Sequence, residues 1–315
     1  MLLKSAIRLA SGRTGNARLS VLVFHRVLPK PDPLFPGEVD VVAFDRILGW
    51  LTDWFRLLPL DEAIRRLGDG SLPKAAAAIT FDDGYADNLL HAAPLLARHG
   101  APATLFVATG FLDGGRMWND TVIEAVRRST RNVIDLGEIG IGPVSVADVA
   151  AKRAALARVI PAIKHRPPKA RQIAVDTIRK AAAADLPGDL MMTREQVRAW
   201  HGAGLGLGAH TVNHPILARL ETDAARREMA DSRAELEAIV DDRIGLFAYP
   251  NGKPGQDYTA DHAALAAELG FDAALSTHWG AADADSDRYQ LPRFTPWDRS
   301  RTRFGIRMLR NLAGV

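Results

Sequence analysis

The sequence predicts an α/β fold in which a parallel sheet is covered by helices. Three observations carry this expectation. Short apolar runs recur along the chain, helical patterns separate them, and the most polar motifs stand where those runs end. In folds of this class, chemistry collects at the C-terminal ends of strands. A chain of 315 residues, 47% of them hydrophobic, is ample for a sizeable core.

Leu19–Phe24 is a mostly apolar run that reads as a buried strand ending at His25. Pro29, Pro31 and Pro33 make the next segment a loop. Phe44, Ile47, Leu48, Leu51 and Phe55 recur at the spacing of one helix face. Ala76–Phe81 is the second strand. Residues 85–99 have a helical pattern that stops at Gly100, a suitable C-terminal cap. Residues 103–108 form the third strand. Strand-like runs return at 205–209, 244–249 and 273–276, separated by helices over Thr222–Val240 and 260–269.

The middle of the chain is different. Residues 116–200 are rich in Ala, Arg and Lys at helical spacing, with breaks at 137–143 and at Arg166-Pro167-Pro168. They read as a mainly helical insertion with a small hairpin near 133–146, and not as an independent domain. The tail over 299–315 is basic, with Phe304, Ile306, Met308, Leu309 and Leu312 among Arg301, Arg303, Arg307 and Arg310. It reads as a terminal helix packed on the fold with a solvated arginine face. The same pattern also suits peripheral contact with an anionic membrane. Nucleic-acid binding is not expected, because no recognised module accompanies the tail.

The formal net charge is only +3, and there is no cysteine. That excludes disulfides, a thiolate nucleophile and any zinc site built on sulfur. Lys4 and Arg8 interrupt the apolar N-terminal stretch, which therefore does not read as a secretory signal. No run approaches the roughly 20 apolar residues of a membrane span. A soluble cytoplasmic protein is the expectation.

Two motifs carry the chemistry. Thr80-Phe81-Asp82-Asp83-Gly84 places adjacent carboxylates at the tip of an apolar strand, where their mutual repulsion is costly unless a cation relieves it. Gly208-Ala209-His210-Thr211-Val212-Asn213-His214 ends another strand, and histidines four apart on a helical turn can aim both rings at one ion. One aspartate and two histidines make a three-ligand site with positions left for water and substrate. Only one carboxylate can be a close ligand without crowding the water; the other can serve as base. The residues alone do not say which does which.

Together with Phe247-Ala248-Tyr249-Pro250-Asn251-Gly252, these motifs resemble the polysaccharide deacetylase family, carbohydrate esterase family 4, over roughly residues 19–295. The resemblance implies a distorted (β/α)7-type barrel forming one catalytic domain over 1–315. It implies a divalent metal ion, zinc above all, held by Asp83, His210 and His214, with Asp82 as catalytic base. It also implies the Tyr249 backbone N–H as oxyanion donor. Val23-Phe24-His25-Arg26-Val27 resembles a motif of the poly-N-acetylglucosamine deacetylase branch, which makes His25 the proton donor; His278, in Ser276-Thr277-His278-Trp279, is its rival. Many members open the third motif with an arginine that steadies the base. Here Phe247 stands in that place, and Arg293 is the expected substitute.

The implied reaction is hydrolysis of N-acetyl groups on amino sugars of a polysaccharide or glycan precursor. Two further readings remain: a metal-dependent hydrolase of a non-sugar amide or cyclic imide, and a catalytically silent glycan-binding protein. Trp118 offers an aromatic face for a sugar ring or for core packing. His91, His99, His165, His201 and His262 have no partner at ligand spacing and read as surface or helix-end residues.

Overall fold

The computed structural model describes residues 2–13, 16–296 and 298–314; Val315, the last residue of the expected tail, lies outside them. The chain divides into two compact units. The first comprises residues 1–30, 39–112 and 192–315, and the second 31–38 and 113–191.

The first unit begins with helix α1 (Leu2–Ala10) and a short antiparallel pair, β1 (Gly12–Arg13) with β2 (Asn16–Ala17). Strand β3 (Leu19–Phe24) follows, then α2 (Val41–Trp54), β4 (Arg56–Leu57), α3 (Leu60–Gly68) and β5 (Ala76–Phe81). A π-helical turn (Asn88–Ala92) leads into α4 (Ala93–His99), and then β6 (Ala103–Val107). The expected helix over 85–99 is therefore two pieces, with Pro94 near the start of the regular one. Gly100, at φ 59°, caps it in the left-handed conformation.

The second unit contributes α5 (Trp118–Arg128), β7 (Val133–Leu136), β8 (Gly142–Ser145), α6 (Val149–Lys164) and α7 (Pro168–Ala182). Strands β7 and β8 form the small antiparallel hairpin. Val122, Val126, Ile134, Leu156, Val159 and Ile178 build a core of its own. Asp32 accepts both terminal nitrogens of Arg127, at 2.9 and 2.6 Å, which ties residues 31–38 to α5. Trp118 belongs to this unit and carries the Arg171 guanidinium over its ring at 5.2 Å.

The chain returns to the first unit with α8 (Arg194–Gly202), β9 (Gly206–Ala209), α9 (Thr222–Val240), β10 (Leu246–Ala248), α10 (Ala260–Glu268), β11 (Ala273–Leu275) and α11 (Arg301–Ala313). The sheet is parallel throughout, in the order β11-β10-β9-β6-β5-β3, with β4 on the start of β5. Residues 291–294 bridge its two edges. Leu291 pairs with Leu275 of β11, and Phe294 pairs with Leu22 of β3. The Phe294 N–H donates to Val21 O at 2.7 Å, and the Leu291 N–H to Ala274 O at 3.0 Å. The result is a distorted (β/α) barrel of seven strands closed by an irregular segment.

Alternation along the strands sorts the side chains into two layers. Leu19, Val21, Ala76, Ala78, Phe106, Leu246, Ala248, Ala273, Leu275 and Leu291 share one cluster, the barrel interior, which α3 covers with Leu60, Ala63, Ile64 and Leu67. Leu22, Phe24, Ala77, Ile79, Phe81, Leu105, Val107 and Phe247 belong to the outer cluster under the helices. Both faces of the strands are buried, so β3 and β5 read as continuous apolar runs. Small residues in the interior make room for Phe106: a Cβ on Gly208 would stand 2.3 Å from its ring.

Candidate metal centre and active site

The same alternation fixes which polar residues face inward. Thr80 and Asp82 continue the interior side of β5, and His210 continues that of β9. All three are buried, and they stand at the C-terminal ends of β5 and β9, with β6 between the two strands. Asp83, one residue further, would point outward on an extended chain. Its φ of 78° turns it back instead. Asp83, Thr211, His214 and Asn251 are four of the eight described non-glycine residues with positive φ, so half of this backbone strain lies in the three motif loops.

The His210–His214 segment is not a helical turn, contrary to the sequence expectation. Left-handed conformations at Thr211 and His214 fold the loop so that the two rings approach to 4.9 Å between centroids. The loop is held from outside. Glu228 of α9 accepts the N–H groups of Val212 and Asn213 at 2.9 and 2.8 Å and the Asn213 side-chain amide at 2.8 Å. The Thr109 and Gly110 N–H groups donate to Thr211 O and Val212 O.

Asp83, His210 and His214 each aim one ligand atom at a common point, the three atoms lying within 4.8 Å of one another. Nε2 of His210 and of His214 stand 3.5 and 3.4 Å from Asp83 Oδ1, a buried oxygen that accepts no hydrogen bond. Two ligands bonded to zinc at about 2.1 Å in a tetrahedral arrangement stand about 3.4 Å apart. The spacing suits a shared cation better than direct hydrogen bonds. The tautomer fits as well: His210 Nδ1–H donates to Ala248 O at 2.7 Å, which turns the Nε2 lone pair toward Asp83.

The electrostatics show the same crowding. Burial pushes the Asp83 carboxyl up, but His210, His214 and His25 outweigh it and hold it well below the usual carboxylate range. Burial pulls His214 down to about 4, with His210 and His25 adding to the effect against the attraction of Asp83. His210 moves up, because Asp83 and Asp82 outweigh its burial.

Arg293 meets Asp82 as the sequence suggested. Its two terminal nitrogens bond the two carboxylate oxygens at 2.7 and 2.8 Å, with both side chains fully buried. Its Nε–H donates to Ser276 O at 2.8 Å. The closing segment 291–294 brings it there. Burial would raise the Asp82 pKa, but the charges of Arg293 and then His210 overcome that and lower it. Each carboxylate oxygen keeps a second lone pair for a proton or a water.

His25 lies exposed at the end of β3 and is among the charges acting on Asp82, Asp83 and His214. Its segment is anchored by residues the sequence reading missed. Asn88 Nδ2 donates to His25 O at 3.0 Å, and Asp87 accepts from the Val27 N–H at 3.1 Å and from Arg26 Nε at 2.8 Å. Their nearness to the carboxylate doublet was the one available signal; Glu228 offered none. His278 is also exposed, but it exerts none of the leading effects on Asp82 or Asp83. Its backbone serves instead, its carbonyl accepting the Arg293 N–H at 2.9 Å.

Tyr249 departs from the expectation. Its N–H donates to Leu275 O at 3.1 Å as part of the sheet, so it is already committed and does not suit the oxyanion role. Its side chain faces the outer layer, stacked on Tyr258 at 3.8 Å with its hydroxyl on Tyr289 O. Pro250 has no N–H, and the Asn251 N–H is the next along the loop. Of the other histidines, His99 pairs with Asp45 at 2.7 Å and His262 closes the capping box of α10.

YxkH of Bacillus subtilis (strain 168), named as a polysaccharide deacetylase, is 22% identical over 279 residues, covering 88% of this chain and 71% of its own. The Streptococcus pyogenes deacetylase PplD, solved in complex with acetate, shares the fold at TM-score 0.61 and 22% identity, covering 94% of this chain and 99% of its own. IcaB from Ammonifex degensii does so at TM-score 0.58 and 19% identity, covering 93% and 97%. The polysaccharide deacetylase family model matches residues 69–137 and 153–274, well over half of the sequence and including both metal-type motifs. The chain belongs to the polysaccharide deacetylase family.

Proposed function

We propose that this chain is a metal-dependent hydrolase that removes N-acetyl groups from amino sugars of a polysaccharide or a glycan precursor. The observation that carries the reading is the unpartnered Asp83 Oδ1 facing two imidazole Nε2 atoms beside a carboxylate held by a buried arginine. Asp83, His210 and His214 would hold the ion, and a set of two imidazoles and one carboxylate suits zinc. Bound there, a divalent cation would supply Lewis-acid polarisation of the acetamide carbonyl and would acidify water.

The remaining steps belong to the chain's own groups. Arg293 keeps Asp82 anionic and fixed in orientation, so that Asp82 can take the proton of the attacking water. His25, solvent-facing and within the field of both aspartates, delivers a proton to the departing nitrogen. The products are acetate and a free amine.

The test is acetate release from N-acetylated chito-oligosaccharides after metal depletion and zinc readdition, with cyclic imides run in parallel. The reading expects sugar deacetylation that zinc restores. Hydrolysis of imides alone would replace it with the second chemistry, and sugar binding without acetate release in the presence of zinc would make the protein a silent binder. His25→Ala is expected to lose turnover and His278→Ala to retain most of it; the reverse result would move the proton donor to His278.

A further inference from the structure

Helices α1 and α11 lie side by side. A Cβ on Gly305 would stand 2.2 Å from Leu3 Cδ2, so glycine permits their close approach. Lys4 and Arg301, near the two starts, share Asp53, and Arg18 reaches the Leu312 carbonyl near the end of α11. The helices therefore run in the same direction. Ile7, Phe304, Met308 and Leu312 bury the inner faces completely.

The outer faces have an unusual composition. Leu9 is 84% exposed and Ile306 49% exposed. Arg303, Ile306 and Arg310 line up at i, i+3 and i+7 on one exposed stripe. The two helices hold Lys4, Arg8, Arg301, Arg303, Arg307 and Arg310 and no acidic residue. The whole chain carries a net charge of only +3, so the two helices are strongly cationic while the rest of the molecule is net negative. Asp53 and Asp298 engage Lys4, Arg301 and Arg307. Arg8, Arg303 and Arg310 have no ion-pair partner among the described residues.

We propose that this face docks on an anionic lipid bilayer, with Leu9 and Ile306 entering the headgroup region and Arg8, Arg303 and Arg310 meeting lipid phosphates. Exposed aliphatic side chains interleaved with arginines gain from both components of such an interface. A duplex nucleic acid would satisfy the arginines but offer nothing to Leu9 and Ile306. The inference is independent of the hydrolytic reading, since no residue of this face belongs to the candidate active site.

The test is flotation of the full chain with phosphatidylcholine vesicles and with vesicles that also contain phosphatidylglycerol. Retention is expected on the anionic vesicles only, with release at high salt. Each cation near the surface is worth about fivefold in partition, so the double variant Arg303→Glu, Arg310→Glu should bind more than tenfold more weakly. Leu9→Ser with Ile306→Ser keeps the charge and should also weaken binding several-fold, at an unchanged melting temperature. No retention by anionic vesicles, equal retention by neutral ones, insensitivity to both variant pairs, or tighter binding to duplex DNA would overturn the proposal.

Discussion

Asp82 and Asp83 are neighbours in sequence with different surroundings. Asp82 sits on the interior face of the barrel in a two-point ion pair with Arg293. Asp83, turned by its positive φ, presents its carboxylate to His210 and His214. That contrast supports separate duties. Asp82→Asn is expected to retain the metal and lose roughly 10²- to 10⁴-fold in kcat, measured as acetate release beside metal content. Arg293 holds the Asp82 pKa down, so the base stays ionised through the neutral and mildly acid range. Arg293→Gln removes that depression, and the acid limb of the kcat/KM profile should move to higher pH. A limb that stays in place while activity falls at every pH would leave Arg293 with a structural role only.

At the scale of elements, two short segments do most to assemble the site: the irregular segment at 291–294 and the loop from His210 to His214. Glu228 on α9 braces that loop through three hydrogen bonds. Glu228→Ala should weaken metal binding by about 10- to 100-fold without touching a ligand, as read by competition with a chelator. Gly208→Ala, which drives a Cβ into the Phe106 ring, should cost about 1–3 kcal/mol in a denaturant titration.

Much of this level was legible in the sequence. The strands at Leu19–Phe24 and Ala76–Phe81 announce themselves because both faces are buried, and α2 does so through the spacing of Phe44, Ile47, Leu48 and Leu51. The coiled approach of His210 to His214 was not legible, since it depends on left-handed residues that are not glycine. Nor was the outward aim of Tyr249, which follows from strand register, or the helix α1, whose short pattern gains meaning only against α11. Arg293 could be suspected from the missing arginine at Phe247, but its contact with Asp82 rests on barrel closure.

At the scale of the molecule, the chain comprises two compact units, and the second draws in residues 31–38 from far upstream of 113–191. No periodicity could have revealed that addition; it rests on the Asp32–Arg127 pair and on the packing of Leu34. Burial would raise the Asp32 carboxyl, but Arg127 and the Leu34 N–H hold it below its ordinary 3.8. Its contribution to stability is thus present above pH 3.8 and is lost as the pH falls through the lower, folded-state value. Asp32→Asn should destabilise the protein at neutral pH, and the gap to wild type should close in melts taken at progressively lower pH. A gap that persists at the acid end would assign the effect to something other than the carboxylate's charge.

The proposed function requires three side chains from two strand ends to share one divalent cation. Its most direct measurement is a zinc titration of the metal-depleted protein followed by calorimetry, with Asp83→Ala alongside. One equivalent bound tightly by wild type, and binding lost in the variant, is the predicted result. Equal stoichiometry and affinity in both proteins would contradict it.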